Sequence, residues 1–320
     1  MMKYMSINKR GHQRLSVAVR NVLSKFLLFL LPISTYGQQK IFIVDLDKDQ
    51  SAANFDATHF KMSASSLYGI DKTVELFNIL PKAKEHFHTK ELIVFSILPD
   101  FSNKGEWVSL DSIGPYGEIS FQELVRMKDR NLSIDREAPY FTRYGNEVML
   151  GIRRDGKIKV GKQCLLQFFA IRNYPEQFNR PLGTIDISQR EFTIAQFQKE
   201  YESHYPQDGF PLRPGDISLN FEPLRMKREF LSQKTTYKAE PAYQFWTLYD
   251  WSTMDGYEIE RGIDRFVYVP NKGIVGGSYD FYFYYNREKL GLSFGVFMNN
   301  IFKERVMLGE EVQLSKRKHK

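Results

Sequence analysis

Residues 264–285 read DRFVYVPNKGIVGGSYDFYFYY. Arg265–Val269 is aromatic and β-branched, NKGIVGG concentrates turn formers, and Tyr279–Tyr285 is aromatic again. Strand, turn and strand is the expectation, because such side chains fill a pleated surface while Asn and Gly supply turn geometry. The same texture runs from Ala242 to the C-terminal tail. Tyr243–Asp250, Tyr257–Arg261, Leu290–Met298 and Arg305–Leu308 are expected strands, separated by TMDG and NREK. Turn signals this frequent predict a meander that closes into a sandwich or half-barrel.

Further upstream, strands are expected at Lys40–Asp45, Leu92–Leu98, Glu147–Arg153, Lys157–Arg172 (one long or bent strand) and Ile217–Phe221. Two helices are signalled by capping boxes. Ser120 and Glu123 open Ile119–Asn131, with Ile119 placed to staple onto Leu124. Thr193 and Gln196 open Phe192–Tyr205, where Ile194, Phe197, Tyr201 and Tyr205 follow at helical spacing. A third helix is expected over Lys72–Phe87, interrupted by Pro81. The expected class is therefore α+β and strand-dominated, with antiparallel sheets and two or three helices. Pro and Gly in YPQDGFPLRPGD (Tyr205–Asp216) divide a mixed α+β region, 38–205, from a β-rich region with a basic tail, 206–320. The two halves equally suit one larger domain crossed by a surface loop.

The chain has 320 residues, 42% hydrophobic and 15% aromatic, enough apolar material for a folded core and unlike a disordered composition. Its formal charge of +7 suggests an anionic partner until the charges are located. Residues 1–37 hold six cations and no acid, which leaves 39 basic against 38 acidic residues, a balance of +1. The tail KRKHK carries four more positive charges, so the body is slightly acidic and nucleic acid is not an expected partner.

The N-terminus places a basic segment before FLLFLLPI (Phe26–Ile33) and then small residues at Thr35 and Gly37. That order is expected of a signal peptide, residues 1–37, cut after Gly37. The apolar run is shorter than the roughly 20 residues a spanning helix needs, and no transmembrane segment is expected after cleavage. With a single cysteine, Cys164, no intramolecular disulfide forms, and Cys164 reads as a buried small hydrophobe. Export without disulfides fits a bacterial periplasm or secretion from such a cell. The chain lacks the repeated ten-residue alternation of an outer-membrane barrel.

Several motifs carry candidate chemistry. IFIVDLDKDQS (41–51) ends an apolar strand in alternating aspartates. It resembles the first motif of haloacid-dehalogenase-like phosphatases, which implies Asp45 as nucleophile and Asp47 as acid/base beside a magnesium ion. Asp49 stands where that motif has Thr or Val, and no acidic strand end for magnesium follows. As an EF-hand-like calcium loop starting at Asp45, the stretch has Gln50 where glycine belongs and Asp56 where glutamate belongs. GLSFG (Gly291–Gly295) matches the nucleophile elbow, but strands are expected on both sides and only His319 follows. His86 and His88 in HFH, with His59 and Asp56, are the metal-ligand candidates. Exposed histidines are the favoured reading, and neither metal nor cofactor is expected.

The aromatic concentration YQFWTLYDWSTMDGYEIE (Tyr243–Glu260) supplies the candidate ligand-binding residues Trp246, Tyr249, Trp251 and Tyr257. Such rings beside carboxylates stack on sugar C–H groups or anchor protein interfaces, although packing is the commoner role. No other stretch resembles a known family. The expected function is a non-catalytic binding module of the envelope with a protein or glycan partner, a class that includes protective proteins of the immunity type. A carbohydrate-binding or carbohydrate-active protein using 243–260 is the alternative, and a metal-dependent hydrolase the second.

Overall fold

The computed structural model describes residues 39–48, 53–82, 90–102, 105–131, 144–145, 148–173, 183–207, 229–247 and 262–314. Residues 39–320 form one compact unit. Its strands, in chain order, are β1 (Gln39–Asp45), β2 (Phe55–Ser63), β3 (Thr73–Pro81), β4 (Lys90–Ile97), β5 (Trp107–Ser109), β6 (Tyr116–Ile119), β7 (Tyr144–Gly145), β8 (Val148–Arg154), β9 (Lys157–Gly161), β10 (Cys164–Ile171), β11 (Thr184–Ile185), β12 (Phe230–Tyr237), β13 (Glu240–Trp246), β14 (Arg265–Val269), β15 (Gly273–Ser278) and β16 (Met307–Glu311). The helices are α1 (Ser65–Tyr68), α2 (Phe121–Asn131), α3 (Ile194–His204), α4 (Asp280–Tyr285), α5 (Arg287–Leu290) and α6 (Phe294–Phe302).

The class is the expected one: strand-dominated α+β, with large mixed sheets forming a half-barrel. A five-stranded sheet runs β5-β9-β8-β1-β6, and an eleven-stranded sheet runs β11-β10-β4-β3-β2-β16-β15-β14-β13-β12 with β7 on β10. Neither is purely antiparallel. β1 lies parallel to both β6 and β8, and β10 parallel to β11.

Alternation along the central strands explains the layering, since successive side chains point to opposite faces. On β4, Leu92 and Val94 enter one core, while Ile93, Phe95 and Ile97 enter a second. The first core packs α3, α4 and α6 on the large sheet through Phe197, Tyr201, Phe283, Phe297 and Ile301. The second packs the two sheets together and takes Leu124 and Met127 from α2. β4 is therefore apolar on both faces, as a strand covered on both sides must be. Inside the first core lies a buried ion pair, Arg265 Nη1 to Asp280 Oδ2 at 2.5 Å. The Tyr68 hydroxyl also donates to Asp280, at 2.9 Å.

Both capping boxes form as expected. Ser120 and Glu123 bond reciprocally before α2, and Thr193 and Gln196 before α3. Five expected elements differ. Residues 73–81 are β3, not a helix: Thr73, Val74 and Ile79 are β-branched, and the whole segment pairs with β2. NKGIVGG contains β15, because Gly276 lets β16 approach, and Gly277 lets Ile263 and the Arg265 carbonyl approach, where a side chain would collide. Tyr279–Tyr285 and Leu290–Met298 are largely helical. Short aromatic runs suit either state, and here Gly291 at φ 65° ends α5 while Ser293 begins α6. The expected strand Lys157–Arg172 is two strands, β9 and β10, placed in different sheets. Strands β2 and β12 had no clear signal. Ile217–Phe221 and Tyr257–Arg261 lie outside the described residues.

Candidate functional site

The face of β2 and β3 that meets the small sheet changes character along its length. Phe55 and Ile79 belong to the inter-sheet core, but farther along the same face carries His59, Lys61, Glu75 and Phe77. His59 lies directly opposite Phe77, and Lys61 opposite Glu75. The small sheet answers with its β8–β9 hairpin. Ile152 pairs with Lys159 and Arg154 with Lys157, which puts all four on one face. These surfaces enclose a cleft of about 620 Å³, bounded further by Leu46, Trp107 and Leu314.

Glu75 organises the cleft. His59 Nε2 lies 2.7 Å from Glu75 Oε2, and Trp107 Nε1 donates to Oε1 at 2.9 Å. Burial alone would raise the pKa of Glu75, but the bonds from His59 and Trp107 and the charge of Lys61 outweigh it and lower the pKa. The ionised carboxylate accepts on both oxygens, so Nε2 of His59 is the donor. The His59 ring stacks on Phe77 at 4.0 Å, and Trp107 meets Phe77 edge-on at 5.8 Å. A carboxylate-oriented imidazole is half of a nucleophile-activating pair. The other half is missing: among the described residues, no Ser, Thr, Cys or Tyr lines the cleft. Nor do the described residues group three His, Cys, Asp or Glu side chains suitably for a metal.

Of the candidates read from sequence, His59 lies in the cleft, buried and not exposed as expected; the other described ones lie elsewhere. Trp246, the last residue of β13, is fully buried, stacks on Phe230 at 4.4 Å and donates to Phe192 O at 2.7 Å. Its ring offers a ligand no open face. Tyr249, Trp251 and Tyr257 lie outside the described residues, as do Asp49, Gln50, His86 and His88. Asp45 bonds the Arg153 guanidinium at 2.5 Å. Asp47 accepts the backbone amides of Asp155 and Gly156 at 2.7 and 2.9 Å. The two carboxylates thus hold the β8–β9 turn. Asp56 pairs with Lys82 at 3.1 Å. Ser293 of GLSFG sits between two helices, not at a strand end. Cys164 packs against the inter-sheet core, and burial pushes its thiol up to about 12.

Glu75, Phe77, Trp107 and the basic hairpin were not singled out in the sequence. The hairpin had a signal there: Asp155-Gly156 is a two-residue turn pair, and counting outward from it puts Arg154 and Lys157 side by side. The chain matches no protein-family model, no curated protein and no solved structure.

Proposed function

We propose that this chain is an exported, non-catalytic binding module that takes its ligand in the cleft between the two sheets. Export rests on the basic, apolar and small-residue order of residues 1–37. The observation that carries the binding reading is the hydrogen-bonded set His59–Glu75–Trp107, fixed against Phe77 inside a cleft of about 620 Å³. Binding sites of this volume are mostly apolar, with a few placed polar groups to orient the ligand. Glu75 has both oxygens engaged and is held ionised, which suits it to positioning and not to donating a proton. A second reading, carbohydrate binding, is favoured by one contact: Trp107 beside Glu75 supplies the ring and carboxylate that the sequence offered at 243–260.

The test is thermal unfolding of residues 38–320 against a panel of small carboxylates, phosphates and oligosaccharides. A ligand should raise the midpoint of the wild type but not of Ile152→Trp, whose larger side chain fills the cleft, and should be recovered unchanged. A ligand that stabilises both proteins equally, or one that is turned over, contradicts the proposal.

A further inference from the structure

The charge of the cleft is lopsided, and the imbalance sits on one wall. Lys61, Arg154, Lys157 and Lys159 line it against two carboxylates, Glu75 and Asp155. Glu75 is already engaged by His59, Trp107 and Lys61. Elsewhere in this fold several cations are matched: Arg153 with Asp45, Lys162 with Asp100, Lys82 with Asp56 and Lys272 with Glu240. Arg154, Lys157 and Lys159 form no ion pair among the described residues, and Arg154 only donates to Leu314 O at 3.2 Å. Two of these cations, Arg154 and Lys157, stand directly opposite one another across the hairpin. Like charges so placed repel and destabilise a sheet. Of the carboxylates near the hairpin, Asp47 is spent on the turn amides and Asp45 on Arg153, and Asp155 in the turn itself forms no ion pair among the described residues.

Apolar surface adjoins these cations: Ile152 shares their hairpin face, Trp107 and Leu46 belong to the same small sheet, and Phe77 lies on the large sheet opposite. Phe77 is almost wholly buried beneath the His59 ring, and Trp107, Ile152 and Leu46 are partly exposed around it. We infer that the cleft binds an amphipathic anion, in which a carboxylate, sulfonate or phosphate head meets Arg154, Lys157 and Lys159 and a flat apolar body lies along Trp107 and Ile152. This assignment rests on the cleft being the binding site and adds the class of ligand. An oxyanion neutralises the opposed Arg154 and Lys157, and guanidinium is the side chain best shaped for it. Glu75 excludes the reverse orientation, since an anionic head beside it would meet a carboxylate that is held ionised.

Two dyes separate the contributions. Anilinonaphthalene sulfonate carries the head and the body; N-phenylnaphthylamine carries the same rings without charge. Fluorescence titration of residues 38–320 should find the sulfonate about tenfold tighter, a preference that shrinks as salt shortens the screening length from about 10 Å at 0.1 M to about 3 Å at 1 M. The double variant Lys157→Gln/Lys159→Gln, exposed at both positions, should lose the preference without lowering its unfolding midpoint, since it relieves the repulsion with Arg154. Equal affinity for both dyes in the wild type overturns the anion assignment and leaves the cleft as a binding site. A preference unchanged in the double variant also overturns it, by locating the charge elsewhere. Binding of neither dye overturns the assignment and the binding reading together.

Discussion

Asp47 joins residues 108 positions apart, and through them sets the basic wall of the cleft. Its two oxygens accept the amides of Asp155 and Gly156, where Asp155 takes φ 52° and Gly156 φ 72°. That left-handed pair is what a tight hairpin needs, and it costs Asp155 backbone strain that the carboxylate offsets. Replacing Asp47 with alanine should therefore lower stability by about 1 kcal/mol, measured by urea unfolding, and weaken sulfonate binding by loosening Arg154 and Lys157. An unchanged midpoint would contradict the latch. The alternating aspartates were legible in the sequence as polar groups at the end of a strand. Their partners were not, because nothing local to residues 45–47 encodes which distant amide they meet.

At the scale of elements, close approach decides what composition leaves open. A Cβ added at Gly276 would stand 2.4 Å from Met307 O, so β15 can pair with β16 only while that position is glycine. Gly276→Ala should cost about 1–3 kcal/mol through forced backbone displacement. A neutral substitution would mean that the two strands are not held this closely. The same segment reads as a turn in isolation, since the partner that makes the glycines useful lies beyond three intervening helices. The two capping-box helices were legible because a cap is a local hydrogen-bond pattern. Residues 280–302 were not: aromatic runs satisfy strand and helix alike, and packing on the large sheet chose helix.

Asp100 makes a second element-level prediction. Following β4, it bonds Lys162 Nζ at 2.6 Å in the connection between β9 and β10, and accepts the Ser102 amide at 2.8 Å. The Lys162 bond, followed by Ser102, lowers its pKa to about 2. A carboxyl depressed in the folded state stabilises the fold above its unfolded pKa, near 3.9, and that contribution is lost as pH falls through the folded value. The stability advantage of wild type over Asp100→Asn should thus be full above about pH 4 and shrink toward pH 2. A difference that persists undiminished at pH 2 would contradict the ion pair.

The whole molecule is stitched by its last strand. β16 sits between β2 and β15, so residues 307–311 complete a sheet begun at residue 55. β10 lies beside β4 in the large sheet while β9, just before it, lies in the small one. Such interleaving predicts one cooperative unfolding transition for residues 38–320, with tryptophan fluorescence and circular dichroism coinciding in urea. Two separated transitions would contradict it. The class of the fold was legible because aromatic and β-branched density survives any rearrangement of strands. The cleft was not, because its two walls are drawn from segments that meet only when the sheets stack.

The cleft itself has a direct reporter. The Trp107 indole N–H is bonded to Glu75 inside it, whereas that of Trp246 is bonded to Phe192 O in the core. In a proton–nitrogen correlation spectrum, with the Trp107 resonance identified by Trp107→Phe, saturating anilinonaphthalene sulfonate should shift the Trp107 indole signal and leave that of Trp246 in place. A Trp107 signal that stays put while the dye is bound would contradict the cleft as the binding site.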